Sequence, residues 1–219
     1  MRFFNQTKLR LLSLRRLRAD GILGKGIIME QQKKNMSSGL GFQKIETTID
    51  DVWLIERNNF NDERGVLSKT FNSEIFGSLG LDAIFCESIY SVSKKNVLRG
   101  MHFQKYPHGH IKLVHVIEGE ILDVVVGIGG KNNTRNRGKY FSHVLSGENR
   151  LSMFIPDGYA HGFLVLSEKA IVSYMTSSIY NKDNDITLHY DSFGFDWPCE
   201  KPIVSEKDQR AVRFNDFSF

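Results

Sequence analysis

From about residue 50 onward, apolar and polar residues alternate over short stretches rich in β-branched and aromatic side chains. Such alternation, bounded by turn sequences such as DERG, SGEN and PDG, is typical of strands with one face in a core. The pattern predicts strands over residues 51–56, 65–71, 83–93, 96–104, 111–128, 140–145, 150–156, 162–167 and 170–180, and short helices over 73–79 and 205–212. Many short strands with few helices indicate a β-sandwich or barrel.

A barrel of this size can hold one small ligand, so polar residues on its inner face are candidates for chemistry. In the stretch HGHIKLVHVIEG the alternation places two sets of residues on opposite faces: His110, Lys112, Val114 and Val116 on one, and Ile111, Leu113, His115 and Ile117 on the other. Lys112 stands in the middle of this predicted strand. Lysine is rarely buried without a partner or a function.

The stretch VLRGMHFQ, residues 97–104, carries two basic side chains, Arg99 and His102, in a run that otherwise suggests a buried strand. Burying either without a partner is costly. Their spacing would place them on opposite faces of a regular strand. Gly100 between them can host a bulge, and we expect such a bulge to turn both side chains inward.

The composition indicates one globular domain. The chain has 219 residues, of which 41% are hydrophobic and 25% charged. No apolar run approaches the roughly 20 residues that cross a bilayer. The two cysteines, Cys86 and Cys199, are too few for a disulfide framework and suit a reducing cytoplasm.

The basic charge is concentrated at the N-terminus. Residues 1–35 hold nine Lys and Arg against Asp20 and Glu30, a net +7, so the total of +4 leaves −3 for the remainder. The high pI is therefore weak support for nucleic-acid binding, and we expect no nucleic-acid partner. The mixture of Arg and Leu before residue 21 is typical of an amphipathic surface helix or a transit peptide. An extended or misassigned start ahead of Met29 or Met36 is the favoured alternative, so we divide the chain into a basic, poorly ordered extension, 1–44, and a folded domain, 45–219.

Eight fragments in order resemble one family: FNDERG, NVLRGMHFQ, KLV, LSGEN, FIPDGYAHGFLVLS, SYMTSSIY, FDWP and PIVSEKD. Together they are similar to the dTDP-4-dehydrorhamnose 3,5-epimerase family, over about residues 45–213. The resemblance implies a mainly β, cupin-type jelly-roll barrel with a few short helices and a cytoplasmic homodimer without membrane insertion. It also implies an isomerase that uses no cofactor or metal. The expected reaction is epimerisation of a nucleotide-diphosphate 4-keto-6-deoxyhexose at C5, C3 or both, in the synthesis of deoxysugars for surface polysaccharide such as lipopolysaccharide O-antigen.

Epimerisation beside a ketone requires a base, a cation near the ketone oxygen and an acid across the sugar ring. The resemblance assigns these roles to His102 as base with Asp208 behind it, Lys112 as enolate stabiliser and Tyr174 as the opposing acid. Histidine suits the base because its ordinary pKa of about 6.5 leaves the neutral form available at pH 7.

The same resemblance implies a substrate-binding set. Arg64 and Arg99 match arginines that hold the diphosphate, for which the forked guanidinium is suited. His161 would help to hold the site, and Glu87 and Gln104 complete the predicted set. Because the early strand crosses the dimer interface in this family, Arg64 is a candidate for serving the neighbouring subunit.

Several positions depart from the family pattern. Glu87 and Ile89 stand where a Gln-x-Asn pair is usual, and Gly127 and Gly129 replace an Asp and an Arg. His110 stands where Gln is common. The acid–base set is retained while its surroundings differ, which predicts a changed nucleotide or sugar, or alternatively a loss of activity.

Other interpretations remain open. A 4-keto sugar isomerase or a non-catalytic sugar-nucleotide binder would share the fold. A metal-dependent cupin would use the HGH sequence at 108–110 with His161, but a ligating Glu is missing and Lys112 would repel a cation. Each assigned residue also has a structural alternative: a core histidine for His102, a packed aromatic for Tyr174, and surface positions for Asp208 and Arg64.

Overall fold

The computed structural model describes residues 41–81, 83–129 and 134–218. The predicted extension therefore lies outside the described residues up to position 40. The first strand begins at Phe42, so residues 42–44, predicted as part of the extension, belong to the folded domain.

Thirteen strands and two short α-helices are found within the described residues. The strands are β1 (Phe42–Glu46), β2 (Trp53–Arg57), β3 (Asn59–Asp62), β4 (Gly65–Ser68), β5 (Glu87–Lys94), β6 (Leu98–Gln104), β7 (Lys112–Glu118), β8 (Glu120–Gly127), β9 (Tyr140–Ser146), β10 (Leu151–Ile155), β11 (Tyr159–Val165), β12 (Lys169–Thr176) and β13 (Asp185–Thr187). The helices are α1 (Ser73–Ser78) and α2 (Glu206–Gln209), with 3₁₀ turns at Thr134–Asn136 and Phe214–Asp216.

The strands form two principal antiparallel sheets. One has six strands in the order β1-β2-β10-β7-β12-β5, and the other has five in the order β13-β6-β11-β8-β9. Strands β3 and β4 form a separate hairpin. The sequence predicted strands at ten of these positions, with β7 and β8 inside one stretch, and it missed β1, β3 and β13.

Three apolar clusters hold the layers together. The first joins the two sheets, since it combines Val114 and Val172 of the six-stranded sheet with Val125 and Phe163 of the five-stranded one. The second packs the five-stranded sheet against the C-terminal segment, and the third packs the six-stranded sheet against α1. The alternation predicted for β7 is confirmed, because Val114 and Val116 belong to the first cluster and Leu113 to the third.

Local sequence explains how both helices begin. The Asn72 side chain accepts a hydrogen bond from the backbone N–H of Ile75, and Ser205 does the same for Asp208. Such caps satisfy N–H groups that a helix leaves free in its first turn. In α2 this cap also fixes where Asp208 stands. Within the described residues, the structure contains no helix with the length and apolarity that a membrane crossing requires.

The predicted bulge at Gly100 is confirmed. The pairing of β6 with β11 shifts register between His102, which faces His161, and Arg99, which faces Phe163. Gly100 has φ +130°, which L side chains rarely adopt, and a Cβ there would lie 2.5 Å from the Cα of Gly162. Both constraints require glycine at this position.

Candidate active site

One cavity of about 540 Å³ is lined by the residues that the sequence singled out. Its wall is built from β5, β6, β7, β12, β13 and α2. Seven of the nine predicted site residues line it: Glu87, Arg99, His102, Gln104, Lys112, Tyr174 and Asp208. Arg64 and His161 do not appear in this wall.

His102 and Asp208 form a close pair although 106 positions separate them. His102 Nε2 lies 2.7 Å from Asp208 Oδ1. The His102 side chain is 35% exposed, whereas that of Asp208 is 4% exposed. Burial alone would raise the pKa of Asp208, but hydrogen bonds from His102, Ser205 and the Gly100 backbone hold it below its ordinary value. Asp208 is therefore an anion that accepts from Nε2–H, which leaves His102 Nδ1 with its lone pair.

Lys112 lies at the start of β7, where its Nζ donates a hydrogen bond to the carbonyl oxygen of His102 at 3.0 Å. Burial lowers the pKa of Lys112 to about 8, and the nearby carboxylates of Asp185 and Asp123 oppose this shift. The ammonium group is consequently charged in most molecules at pH 7. It provides a cation beside the base.

Tyr174 and the remaining predicted residues complete the wall. Tyr174 of β12 is half-buried, pairs with Val114 of β7, and packs against the cluster between the sheets. Arg99 is exposed and donates from Nε to Ser93 Oγ at 2.9 Å. Glu87 accepts a hydrogen bond from the backbone N–H of Tyr180 at 3.0 Å. These contacts position a tyrosine, a guanidinium and a carboxylate around one space.

The two predicted residues outside the wall occupy different environments. His161 is buried, and its Nε2 lies 2.7 Å from Oδ1 of the fully buried Asp123. It is the direct cross-strand partner of His102, so the two side chains project from the same face of the sheet. Arg64 is exposed at the turn of the β3–β4 hairpin, where it pairs with Asp62. Neither side chain is among those that line this subunit's cavity, but His161 lies next to one that does, His102.

Six further polar residues line the cavity without having been assigned to it by the sequence: His110, Thr176, Tyr180, Asp185, Ser205 and Lys207. Asp185 and Lys207 form an ion pair across from β6. Asp185 lies in the polar stretch NKDND, in which no apolar alternation predicts a strand. His110 departs from the family pattern, and its parity with Lys112 in the sequence predicts its place on the inner face.

The described residues do not form the metal site that the HGH sequence offered as an alternative interpretation. Within 41–81, 83–129 and 134–218, no three His, Cys, Asp or Glu side chains gather as ligands. His110 lines the cavity whereas His108 does not.

Comparison with known proteins adds to this geometry. The family model of dTDP-4-dehydrorhamnose 3,5-epimerase matches residues 46–216. The chain belongs to this family. The predicted resemblance is confirmed. The mainly β fold, the isomerase class and a function as a sugar-nucleotide epimerase in deoxysugar biosynthesis are confirmed with it.

Individual members of the dTDP-4-dehydrorhamnose 3,5-epimerase family resemble the chain over most of their length. The enzyme of that name from Methanothermobacter thermautotrophicus is 42% identical over 174 residues, which cover 77% of this chain and 92% of the relative. The crystal structure of the Elizabethkingia anophelis enzyme has a TM-score of 0.75 at 38% identity, and the match covers 82% of this chain and 100% of that one. A Legionella pneumophila family member in complex with dTDP-4-keto-L-rhamnose has a TM-score of 0.75 at 35% identity, covering 80% of this chain and 93% of that one.

The departures from the epimerase pattern fall into two groups. Glu87, Ile89 and His110 line the cavity and change its chemistry. Gly127 and Gly129 do not appear in its wall, and a Cβ on Gly127 would lie 2.0 Å from the carbonyl oxygen of Asn136. The absence of an Asp there follows from close backbone packing in this chain.

Proposed function

We propose that this protein epimerises a dTDP-linked 4-keto-6-deoxyhexose at C5 and C3 through an enolate, with no metal or organic cofactor. The observation that carries this proposal is the His102–Asp208 pair, 2.7 Å apart, in the wall of a cavity that also contains Lys112 and Tyr174. The family relatives share the name of this reaction. Because both cysteines, Cys86 and Cys199, are free, the protein also suits the reducing cytoplasm.

His102 acts as the base through Nδ1. It removes the proton from the carbon beside the ketone, and the electron pair of that C–H bond becomes part of the enolate. Asp208 accepts from Nε2–H, fixes the ring orientation and stabilises the imidazolium that forms. A general base of this kind contributes about 10²- to 10⁴-fold to the rate.

Lys112 and Tyr174 complete the exchange. The ammonium group of Lys112 stabilises the negative charge that develops on the ketone oxygen, where a pre-positioned charge has its largest effect. Tyr174 then delivers a proton from its hydroxyl to the opposite face of the carbanion centre, which inverts the configuration. Arg99, at the exposed rim, suits the diphosphate.

Proton NMR in D₂O tests this reaction. The protein is incubated with 4-keto-6-deoxyhexoses linked to dTDP, CDP and GDP, and deuterium at C3 and C5 is followed. We expect incorporation at both carbons of the dTDP sugar. Incorporation only with another nucleotide would correct the substrate, while binding without exchange in any of them would favour the non-catalytic binder.

We further propose a homodimer in which the β3–β4 hairpin of each subunit serves its partner's cavity. Edge strand β5 carries exposed Ile89, Tyr90 and Val92, and the hairpin carries exposed Phe60, Val66 and Leu67. Contiguous exposed apolar side chains next to an unpaired sheet edge are typical of interaction surfaces. Arg64 at the hairpin turn has no place in its own cavity, which fits a role in the neighbouring one.

Hybrid dimers test the placement of Arg64. Co-expression of Arg64→Ala with His102→Ala creates a hybrid in which one cavity combines an intact His102 with an intact Arg64 from the partner. We expect the hybrid to regain up to about half of the wild-type activity per dimer, since one of two sites is whole. If Arg64 served its own subunit, the hybrid would stay as inactive as the parent variants, and a monomer by light scattering would contradict the dimer itself.

A further inference from the structure

His110 lines the cavity from the residues immediately before β7. It stands two positions from Lys112 and on the same face of the chain. The segment is fixed because the Ile111 N–H donates to Ser177 Oγ at 2.8 Å and the Ser177 N–H donates to the Ile111 carbonyl oxygen at 3.0 Å. His110 is therefore held beside the proposed enolate-stabilising lysine.

One nitrogen of the His110 ring is engaged by Gln104. The Gln104 side chain is buried, and its Oε1 accepts from the Asn181 N–H, while its Nε2 lies 2.9 Å from the His108 carbonyl oxygen and 3.2 Å from that of Ile179. Two carbonyls on one side and an N–H on the other fix which end of the amide is NH₂. His110 Nδ1 lies 3.1 Å from that NH₂ group, so Nδ1 is an acceptor.

The proton of the neutral ring consequently resides on Nε2. Burial lowers the pKa of His110 to about 3, and electrostatic interactions with Lys112 and His161 act in the same direction. The ring thus stays neutral at physiological pH. Its Nε2 is buried and has no hydrogen-bond partner among the residues that the structure describes.

A buried N–H without an acceptor carries a free-energy cost that a suitable ligand removes. Phosphate is better matched by the charged Arg99, whereas a neutral donor suits an uncharged oxygen. A hexose carries such oxygens on most of its carbons. Because His110 stands beside Lys112, which is proposed to hold the keto group, the part of the substrate that reaches His110 is its sugar.

We propose that His110 is a specificity-determining residue whose Nε2–H donates a hydrogen bond to a hydroxyl or carbonyl oxygen of the substrate's sugar, next to the keto group held by Lys112. This inference rests on the proposed function and adds the residue that recognises the sugar. Gln104 acts as a positioning residue, because its NH₂ group holds the tautomer in which the proton resides on Nε2.

Calorimetric binding of two ligands isolates the sugar contact. The ligands are dTDP, which has no sugar beyond the nucleoside, and dTDP-quinovose, a 6-deoxyhexose nucleotide that has a hydroxyl in place of the ketone. We expect His110→Phe to weaken binding of dTDP-quinovose about tenfold and to leave dTDP unchanged, since one hydrogen bond of this kind corresponds to about that factor. His110→Gln retains an N–H donor and should stay within about threefold of wild type.

The matched control is His108→Phe, an identical substitution two positions away whose side chain does not line the cavity. It should alter neither affinity. Equal affinities of wild type and His110→Phe for dTDP-quinovose would overturn the inference alone, as would an equal loss for both ligands. Failure of the wild type to bind either ligand would overturn the proposed function as well.

A measurement on the wild-type protein covers the case in which His110→Phe does not fold. Long-range ¹H–¹⁵N NMR reports which ring nitrogen of His110 carries the proton. We expect the Nε2–H tautomer, with a shift of its signal on addition of dTDP-quinovose that dTDP does not produce. An Nδ1–H tautomer, or identical spectra with both ligands, would overturn the inference.

Discussion

Two histidine–aspartate pairs have their histidines side by side on neighbouring strands, and they differ in access to the cavity. In both, Nε2 of histidine is 2.7 Å from Oδ1 of aspartate, and His102 faces His161 directly across the β6–β11 ladder. The side chain of His102 is 35% exposed and lines the cavity, while that of His161 is 8% exposed and does not line it. The same pair can therefore serve as a base or as a support, and solvent and substrate access decides which.

The largest expected difference between the pairs is in turnover. His102→Asn should lower the rate of deuterium incorporation at C5 by about 10²- to 10⁴-fold, because the general base is removed, while dTDP affinity stays near wild type. His161→Asn, the matched substitution in the second pair, should leave the folded protein within about tenfold of wild-type turnover. Equal losses in the two variants would contradict the assignment of the base.

Stability should show the opposite order. Asp123→Ala removes a carboxylate that is fully buried and strands His161, so we expect the free energy of unfolding to fall by about 3 kcal/mol. Asp208→Ala should cost only about 1 kcal/mol, since His102 regains water at the cavity surface. Urea denaturation of both variants measures the difference. A larger loss for Asp208→Ala would show that the C-terminal helix, rather than the buried pair, stabilises this part of the sheet.

Alkaline pH should lower turnover at the cavity that contains His102, because Lys112 loses its charge. Since the pKa of Lys112 is about 8, its protonated form decreases as pH rises, and turnover should fall about tenfold between pH 7 and pH 9. Lys112→Arg, whose guanidinium stays charged over this range, should lose the alkaline decline even if its turnover is lower. A wild-type rate that stays level up to pH 9 would remove Lys112 as the charged stabiliser.

The smallest expected effect lies at the exposed rim of the cavity. Arg99→Ala should weaken binding of the nucleotide sugar about fivefold and leave turnover at saturation unchanged, because an exposed guanidinium is screened by water. Steady-state kinetics separates the two quantities. Lys95→Ala, an exposed substitution on the preceding turn whose side chain pairs with Glu168, provides the control and should change neither quantity.

Much of this arrangement could be predicted from the chain itself. Alternation identified β7 and put Lys112 with Val114 on the inner face, and the parity of Arg99 and His102 predicted a bulge at Gly100. These are local properties, set by the period of a strand and by the conformations open to glycine.

Contacts between distant segments could not be predicted from periodicity. Asp208 was associated with His102 through the family resemblance, since nothing in the sequence SEKD indicates which strand the helix approaches. The side chain of His161 presented a similar difficulty. In a strand buried on both faces, such as β11, alternation disappears, and the sequence does not say which face a histidine occupies.

The bond between His102 and Asp208 makes the base depend on nearly the whole length of the chain. Strand β6 lies near the middle of the chain, whereas the carboxylate lies in the last helix, and Val97 and Ile203 pair next to it. A polypeptide interrupted between Tyr174 and Ser205 contains the histidine, the lysine and the tyrosine without the acid that orients the imidazole. During synthesis, then, the proposed base acquires its aspartate only after the C-terminal helix has been made.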